Sequence, residues 1–385
     1  MGIKILVACD KHKGSLTSLQ ACKIIEKAIK KVSREIDVIL NPMADGGEGT
    51  VETLVESLNG KYIEIKVKGP LGEPVLSRFG IIGGNTAVIE MSSASGLWLV
   101  PVGKRNPLQT TTYGTGEMIK KAADMGCRKI IIGIGGSATN DGGMGMAQAL
   151  GYKFLDENNN LLGFGGKELL KLKKIDAGFL NYNFSNIDVE VACDVDNPLT
   201  GENGAAYVYA PQKGADIKMV KLLDEGLENF AKVVKRYLGK DIKDIKGSGA
   251  AGGLGGGLIA FLNAKIRPGT DIIIEATELE NKIKKADLVI TGEGCLDSQT
   301  FFGKTSYGVA KLAKKYNKPV ITINGSVYLK REKIKKGDRD LFCANFSIIN
   351  KTMDLSEVLK NSKFLLENAT TELINFYLIK LRKNV

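Results

Sequence analysis

Apolar positions along the chain follow two rhythms. Residues 3–9 and the run Leu288-Val289-Ile290-Thr291 are almost continuously apolar, as strands covered on both faces require. Elsewhere apolar residues recur every three or four positions. From Thr17 to Val32 this spacing predicts a helix, with Ser15, Thr17 and Ser18 as candidate caps. A strand over 37–40 leads into Ala44-Asp45-Gly46-Gly47-Glu48-Gly49-Thr50 and a helix to about 58. The same alternation returns late: a strand at 288–291, a helix near 304–315, strands at 319–323 and 341–346, then helical spacing from Leu355. Strand, loop and helix in alternation predict parallel β–α units.

The middle reads differently. Segments 61–68, 75–82 and 87–91 are strand-like and joined by Gly, Pro and Asn turns, which predicts a mixed sheet. At 385 residues, two domains are expected. The expected fold is α/β. A doubly wound, flavodoxin- or Rossmann-like parallel sheet (1–66 plus 281–385) is interrupted by a second mixed α/β domain (67–280), with an active site in the cleft between them.

The most informative loop is Gly133-Ile134-Gly135-Gly136-Ser137-Ala138-Thr139-Asn140-Asp141-Gly142-Gly143, between a buried strand and a short helical pattern. Residues without Cβ let the backbone approach an anion, and a following helix offers unpaired N–H groups. A tight turn with a capped helix is the plainer alternative. A second Gly-rich segment, 247–257, contains G-x-G-x-x-G but follows a poor strand, so close packing of small residues explains it equally well. Gly303-Lys304-Thr305 is not a P-loop, because Ser298 occupies the place of the first Gly.

Acidic residues gather at strand ends: Asp10, then Asp45 and Glu48, then Glu293 and Asp297, with Asp141 and Asp194 in the inserted domain. Two such charges 4 Å apart repel by about 4 kcal/mol at an effective dielectric of 20, so a cluster needs a cation or a proton. Hard oxygen ligands without Cys or His partners point to Mg²⁺. Each acid taken alone reads more readily as a cap or loop anchor. His12 is the single histidine and is expected on an exposed loop, which leaves nucleophilic triads without a base. Carboxylates, Lys, Mg²⁺ and backbone amides remain, the requirements of phosphoryl transfer.

Composition narrows this only slightly. The net charge of +11 comes mostly from Lys scattered over helical segments such as Lys23, Lys27 and Lys30, with no basic stretch interleaved with aromatics. No nucleic-acid partner is expected. Six cysteines lie far apart without a C-x-x-C pair, and no apolar stretch reaches membrane-spanning length. A cytoplasmic protein with no membrane partner is the expectation, and a homo-oligomer is compatible with it.

The ordered segments Asp10-x-x-Lys13-x-Ser15-Leu16, Ala44-Asp45-Gly46-Gly47-Glu48-Gly49-Thr50, Lys68-Gly69-Pro70-Leu71-Gly72, Thr111-Thr112-x-Gly114-Thr115-Gly116-Glu117, the Gly133–Gly143 loop, Ala192-Cys193-Asp194-Val195 and Thr291-Gly292-Glu293-Gly294-x-x-Asp297 resemble the bacterial type I glycerate kinases. The similarity runs through nearly the whole chain. It implies ATP-dependent phosphorylation of D-glycerate, most often to 2-phosphoglycerate, on a two-domain α/β fold. Cys295 stands where that family usually has Arg, and His12 where an aromatic is common.

The resemblance fixes no catalytic residue, so roles are assigned from placement. Gly135, Gly136, Ser137, Thr139 and Asn140, with Gly292 and Glu293, are expected to hold ATP. Asp194 or Glu293 is expected to position Mg²⁺. Asp10, Ser15, Glu48 and Asp297 are expected around the glycerate, and Lys13 to offset anionic charge. Asp45 or Asp141 would take the hydroxyl proton, with Asp141 preferred for its place in the Gly-rich loop. Two rival readings stand beside this one: a dinucleotide-dependent oxidoreductase using the 247–252 loop, and a nucleotide-binding module without catalysis.

Overall fold

The computed structural model describes residues 2–178, 184–330, 332 and 334–382. The chain divides into two compact units, Met1–Asp45 with Glu56–Leu58 and Thr270–Val385, and Gly46–Val55 with Asn59–Gly269.

In the first unit, β1 (Lys4–Val7), α1 (Ser18–Val32) and β2 (Asp37–Leu40) come from the start of the chain. Its later part supplies α2 (Leu279–Lys285), β3 (Leu288–Thr291), α3 (Thr305–Lys315), β4 (Val320–Asn324), β5 (Ala344–Ser347) and α4 (Leu355–Arg382). The five strands are parallel, in the order β5-β4-β3-β1-β2. Ile5, Leu6 and Val7 are fully buried, which explains why the run shows no alternation. Ile5, Val7 and Cys9 pack with Ala21, Cys22 and Ile25 of α1 and with Leu366 and Ile374 of α4. Each fully buried aliphatic of this kind contributes about 1.5–3 kcal/mol. Thr17, of the three candidate caps, starts α1: its Oγ1 accepts the Gln20 N–H at 3.2 Å, and the Gln20 side chain accepts the Thr17 N–H at 3.0 Å.

The strand order reverses between β1 and β3, because β2 lies to one side of β1 and everything later lies to the other. The carboxyl ends of strands flanking such a reversal leave a crevice that no crossover covers. Asp10 follows β1 and Glu293 follows β3, so both sit at that crevice.

The second unit holds a six-stranded mixed sheet in the order Lys265–Arg267, Asp188–Ala192, Lys129–Gly133, Thr86–Glu90, Pro74–Ile82, Lys61–Lys68. The first four run parallel to one another, and Pro74–Ile82 pairs antiparallel with both Thr86–Glu90 and Lys61–Lys68. Lys61–Lys68 pairs along its whole length with Pro74–Ile82 across the turn at Gly69–Gly72. A boundary at residue 66 therefore cuts through a hairpin strand, and residues 59–66 group with this second sheet. On the other side, residues 270–280 group with the first unit.

The two Gly-rich segments lie against one another in this unit. The Gly142 N–H donates to the Gly252 carbonyl at 3.1 Å. A Cβ at Gly252 would run into the Thr139 carbonyl oxygen, and one at Gly257 into that of Gly142. The segment before Gly247 is irregular and follows the helix Ile217–Leu238. Backbone-to-backbone packing accounts for these glycines, and the dinucleotide fingerprint has no strand to open it. Among the described residues, no helix is long and apolar enough to cross a membrane.

Candidate active site

The crevice of the first unit is a cavity of about 650 Å³. Its polar end carries Asp10, Lys13, Ser15, Asp45, Glu293 and Lys304. Asp10 Oδ1 accepts the Lys11 N–H at 2.7 Å, and Oδ2 accepts the Thr305 hydroxyl at 2.9 Å. Burial, reinforced by the charge of Asp45, pushes the Asp10 carboxyl up to about 7 against those two bonds. Asp45 is half-exposed, and its Oδ1 lies 3.8 Å from the Lys11 ammonium. Glu293, only 7% exposed, accepts the Thr300 hydroxyl at 3.1 Å and faces the Lys304 ammonium at 3.5 Å. Burial raises its pKa while Lys304 opposes the rise. Ser15 donates its hydroxyl to the His12 carbonyl at 3.1 Å, and Lys13 is exposed at the rim.

His12 is not on an exposed loop. It is 2% exposed, lines the same cavity, and neither ring nitrogen has a hydrogen-bond partner. Burial lowers its pKa to about 4, so the imidazole is neutral at physiological pH.

Other expected residues take different places. Asp297 caps a 3₁₀ turn, accepting the Gln299 N–H at 2.8 Å and the Thr300 N–H at 3.3 Å, and lies 3.6 Å from Lys304. Gly292 lets β3 approach β4, since a Cβ there would strike the Ile323 carbonyl. Glu48 is exposed in the second unit. Asp194, also exposed there, accepts the Gly269 N–H at 2.9 Å.

The loop expected to cradle phosphate is largely packed into the second unit. Gly135 and Gly136 are exposed, whereas Ser137, Thr139, Asn140 and Asp141 are buried. The Ala138 N–H donates to Ser95, and the Gly136 carbonyl accepts from Leu97. Asp141 Oδ2 accepts the Thr112 N–H at 2.9 Å, the Thr112 hydroxyl at 2.9 Å and the Gly145 N–H at 3.2 Å; Oδ1 accepts the Gly143 N–H at 3.2 Å. Burial still raises its pKa against these donors. Beneath the loop, the buried Lys213 ammonium donates to the Thr139 carbonyl at 2.7 Å; burial lowers its pKa to about 7, and Asp141 opposes the fall. Asp141 thus accepts from the backbone of Thr112, Gly143 and Gly145, not from the residues 135–140 expected to hold ATP, and its buried carboxylate is fully engaged by these donors.

Lys304, Thr305 and Lys213 escaped the sequence reading. The first two lie in Gly303-Lys304-Thr305, where the missing P-loop glycine drew attention away from a lysine and a hydroxyl at a helix start. Lys213 carries no local sign of burial.

Comparison with known proteins identifies the family. Residues 5–378 match the model of the glycerate kinase family. A glycerate kinase of Halalkalibacterium halodurans is 50% identical over 366 residues, covering 95% of this chain and 96% of the relative. A glycerate 2-kinase of Escherichia coli is 50% identical over 326 residues, covering 84% and 86%. A crystal structure from Salmonella typhimurium, assigned as glycerate kinase 2, superposes with a TM-score of 0.90 at 44% identity and covers both chains completely. With a family model spanning nearly its whole length and relatives at half identity, this chain belongs to the glycerate kinase family.

Proposed function

We infer that the protein transfers the γ-phosphoryl group of ATP to D-glycerate, with 2-phosphoglycerate as the product. Family membership and the glycerate 2-kinase relative support the reaction and its product. The observation that carries it in the structure is the Asp10–Asp45 pair at the strand-order reversal, beside Lys13, Glu293 and Lys304.

In this reading Asp10 is the general base. A carboxyl titrating near neutrality is ionised often enough to accept a proton and basic enough to pull it. Burial holds it there, and like-charge repulsion from Asp45 adds to the rise. The substrate hydroxyl gives its proton to Asp10 while its oxygen bonds to the γ-phosphorus. The bond from that phosphorus to the β–γ bridging oxygen breaks, and ADP leaves. Lys13 and Lys304 offset the charge of phosphate or of the glycerate carboxylate, and Ser15 offers a hydroxyl to the same substrate. The exposed Gly135-Gly136 turn remains a candidate contact for an anionic group.

Mg²⁺ fits the donor set. Among the described residues, no three His, Cys, Asp or Glu side chains form a cage, and Mg²⁺ bound with ATP takes only one or two carboxylates beside phosphate oxygens and water. Glu293, in the cavity lining, is the residue proposed to hold it, with Asp194 as the alternative. The ion would neutralise charge on the transferring phosphoryl group.

A coupled ADP-release assay across D-glycerate, other hydroxy acids and sugars tests the reaction, with ³¹P NMR to locate the new ester. D-Glycerate should give the highest kcat/KM, and EDTA should abolish turnover that Mg²⁺ restores. ATP binding without ADP release in the presence of glycerate would instead make the chain a nucleotide-binding module.

A further inference from the structure

The cavity is larger and less polar than its carboxylates and lysines need. At about 650 Å³ it lies within the range of roughly 300–1,000 Å³ typical of sites for drug-sized ligands. D-Glycerate, a three-carbon acid bristling with oxygen, would fill a small part of it. The far wall is aliphatic: Ile348 and Ile349 follow β5, then Met353, and Leu355, Val358 and Leu359 open α4. Ile349 and Leu355 stand 40% and 72% exposed, apolar surface that a hydroxy acid has nothing to cover with. Of the two substrates, only ATP carries a flat, weakly polar group, its purine base.

A second observation points the same way. His12 lies in this lining, buried, with both ring nitrogens unbonded. A neutral imidazole offers one donor and one acceptor, and buried polar atoms of this kind are ordinarily satisfied by a partner. The edge of a purine supplies both complements.

We propose that the aliphatic wall at Ile348–Leu359 receives the base of the nucleotide, with the triphosphate directed toward Lys304 and Lys13, so that the first unit, and not the Gly133–Gly143 loop, is the nucleotide-recognition unit. This rests on ATP being the phosphoryl donor. Position at a sheet reversal supports it, since the crevice outside strand carboxyl ends is where parallel sheets hold such ligands.

The test compares ATP with inorganic tripolyphosphate, which has the phosphates and no base, by calorimetry on the whole protein with Mg²⁺ and without glycerate. Wild type should bind ATP more tightly than tripolyphosphate. Ile349→Ser with Met353→Ser should weaken ATP by about tenfold while tripolyphosphate is unchanged. The loss should appear in KM for ATP, with KM for D-glycerate within twofold of wild type. Leu355→Ser, at a more exposed position, should give a smaller loss of the same kind if the double variant folds poorly. Equal affinity of wild type for ATP and tripolyphosphate would overturn the proposal, as would variants that change only the glycerate KM or neither constant. The binding arm requires no turnover, so a protein that binds ATP here yet phosphorylates no glycerate would sink the proposed reaction and leave this inference standing.

Discussion

Asp141→Asn separates a scaffold from a catalyst. The carboxylate receives three backbone N–H groups and one hydroxyl, and that hydroxyl in turn accepts the Met146 N–H at 2.9 Å. An amide in its place has one acceptor oxygen and an NH₂ group pointing at donors. With the oxygen at the Oδ2 position, Gly143 loses its acceptor; the other way round, Thr112 and Gly145 lose theirs. Each buried N–H left unpaired costs about 1–3 kcal/mol, and the better orientation leaves one. Lys213 also loses the nearby negative charge that opposes its deprotonation. A total of about 3 kcal/mol corresponds to a fall of roughly 6–12 °C in the melting temperature of a unit of this size. Circular-dichroism melting, with turnover measured at 25 °C on the folded fraction, reads both effects. The expected result is a lower melting point with kcat reduced no more than a few-fold. An unchanged melting point with kcat lowered by about 10²-fold or more would refute the scaffold reading and return Asp141 to the chemistry.

The acid limb of kcat/KM against pH should have a midpoint near 7, set by Asp10. Asp45→Asn removes the like charge that raises it and should move the limb to lower pH; an unmoved limb would exclude the pair as the base. His12 titrates at about 4 in the folded protein against an ordinary 6.5, so the unfolded chain takes the proton first as pH falls. The stability from keeping it neutral is present above pH 6.5 and lost between pH 6.5 and 4, by about 3 kcal/mol. His12→Phe should therefore gain stability relative to wild type over that window, measured by urea unfolding at pH 7.5 and pH 4.5. Gly252, at φ +69° with the Thr139 carbonyl where a Cβ would go, should not tolerate Ala, whereas Gly103, with nothing within 4 Å, should accept it with an unchanged melting point.

The strands of the first sheet were readable because burial on both faces writes itself as an unbroken apolar run, as at Ile5–Val7 and Leu288–Ile290. The order of those strands was not readable, since nothing near Ile5 signals that its neighbour is Leu288. Glycine proved the least legible residue. At Gly252 and Gly257 it serves the close passage of one backbone by another, and in sequence that need looks the same as a ligand's. Asp10 and Asp297 follow similar apolar runs, yet one faces the cavity and the other is a cap. Asp297-x-x-Thr300 carried the sign of a capping box, which a carboxylate-cluster reading passes over. His12 illustrates the opposite difficulty, because a side chain surrounded by loop residues is buried by segments distant in sequence.

The position of β1 governs how this chain is made. Its hydrogen-bonding edges are filled by β2, complete at Leu40, and by β3, which begins at Leu288. On a ribosome adding roughly 5–20 residues per second, the amino-terminal strand waits on the order of 10–50 s for its second neighbour. Throughout that interval an apolar, unpaired edge is displayed to the cell while the intervening polypeptide emerges. Nascent chains stalled before residue 288 should therefore be the species on which chaperones act, and moving the first forty residues to the carboxyl terminus by circular permutation should shorten that exposure.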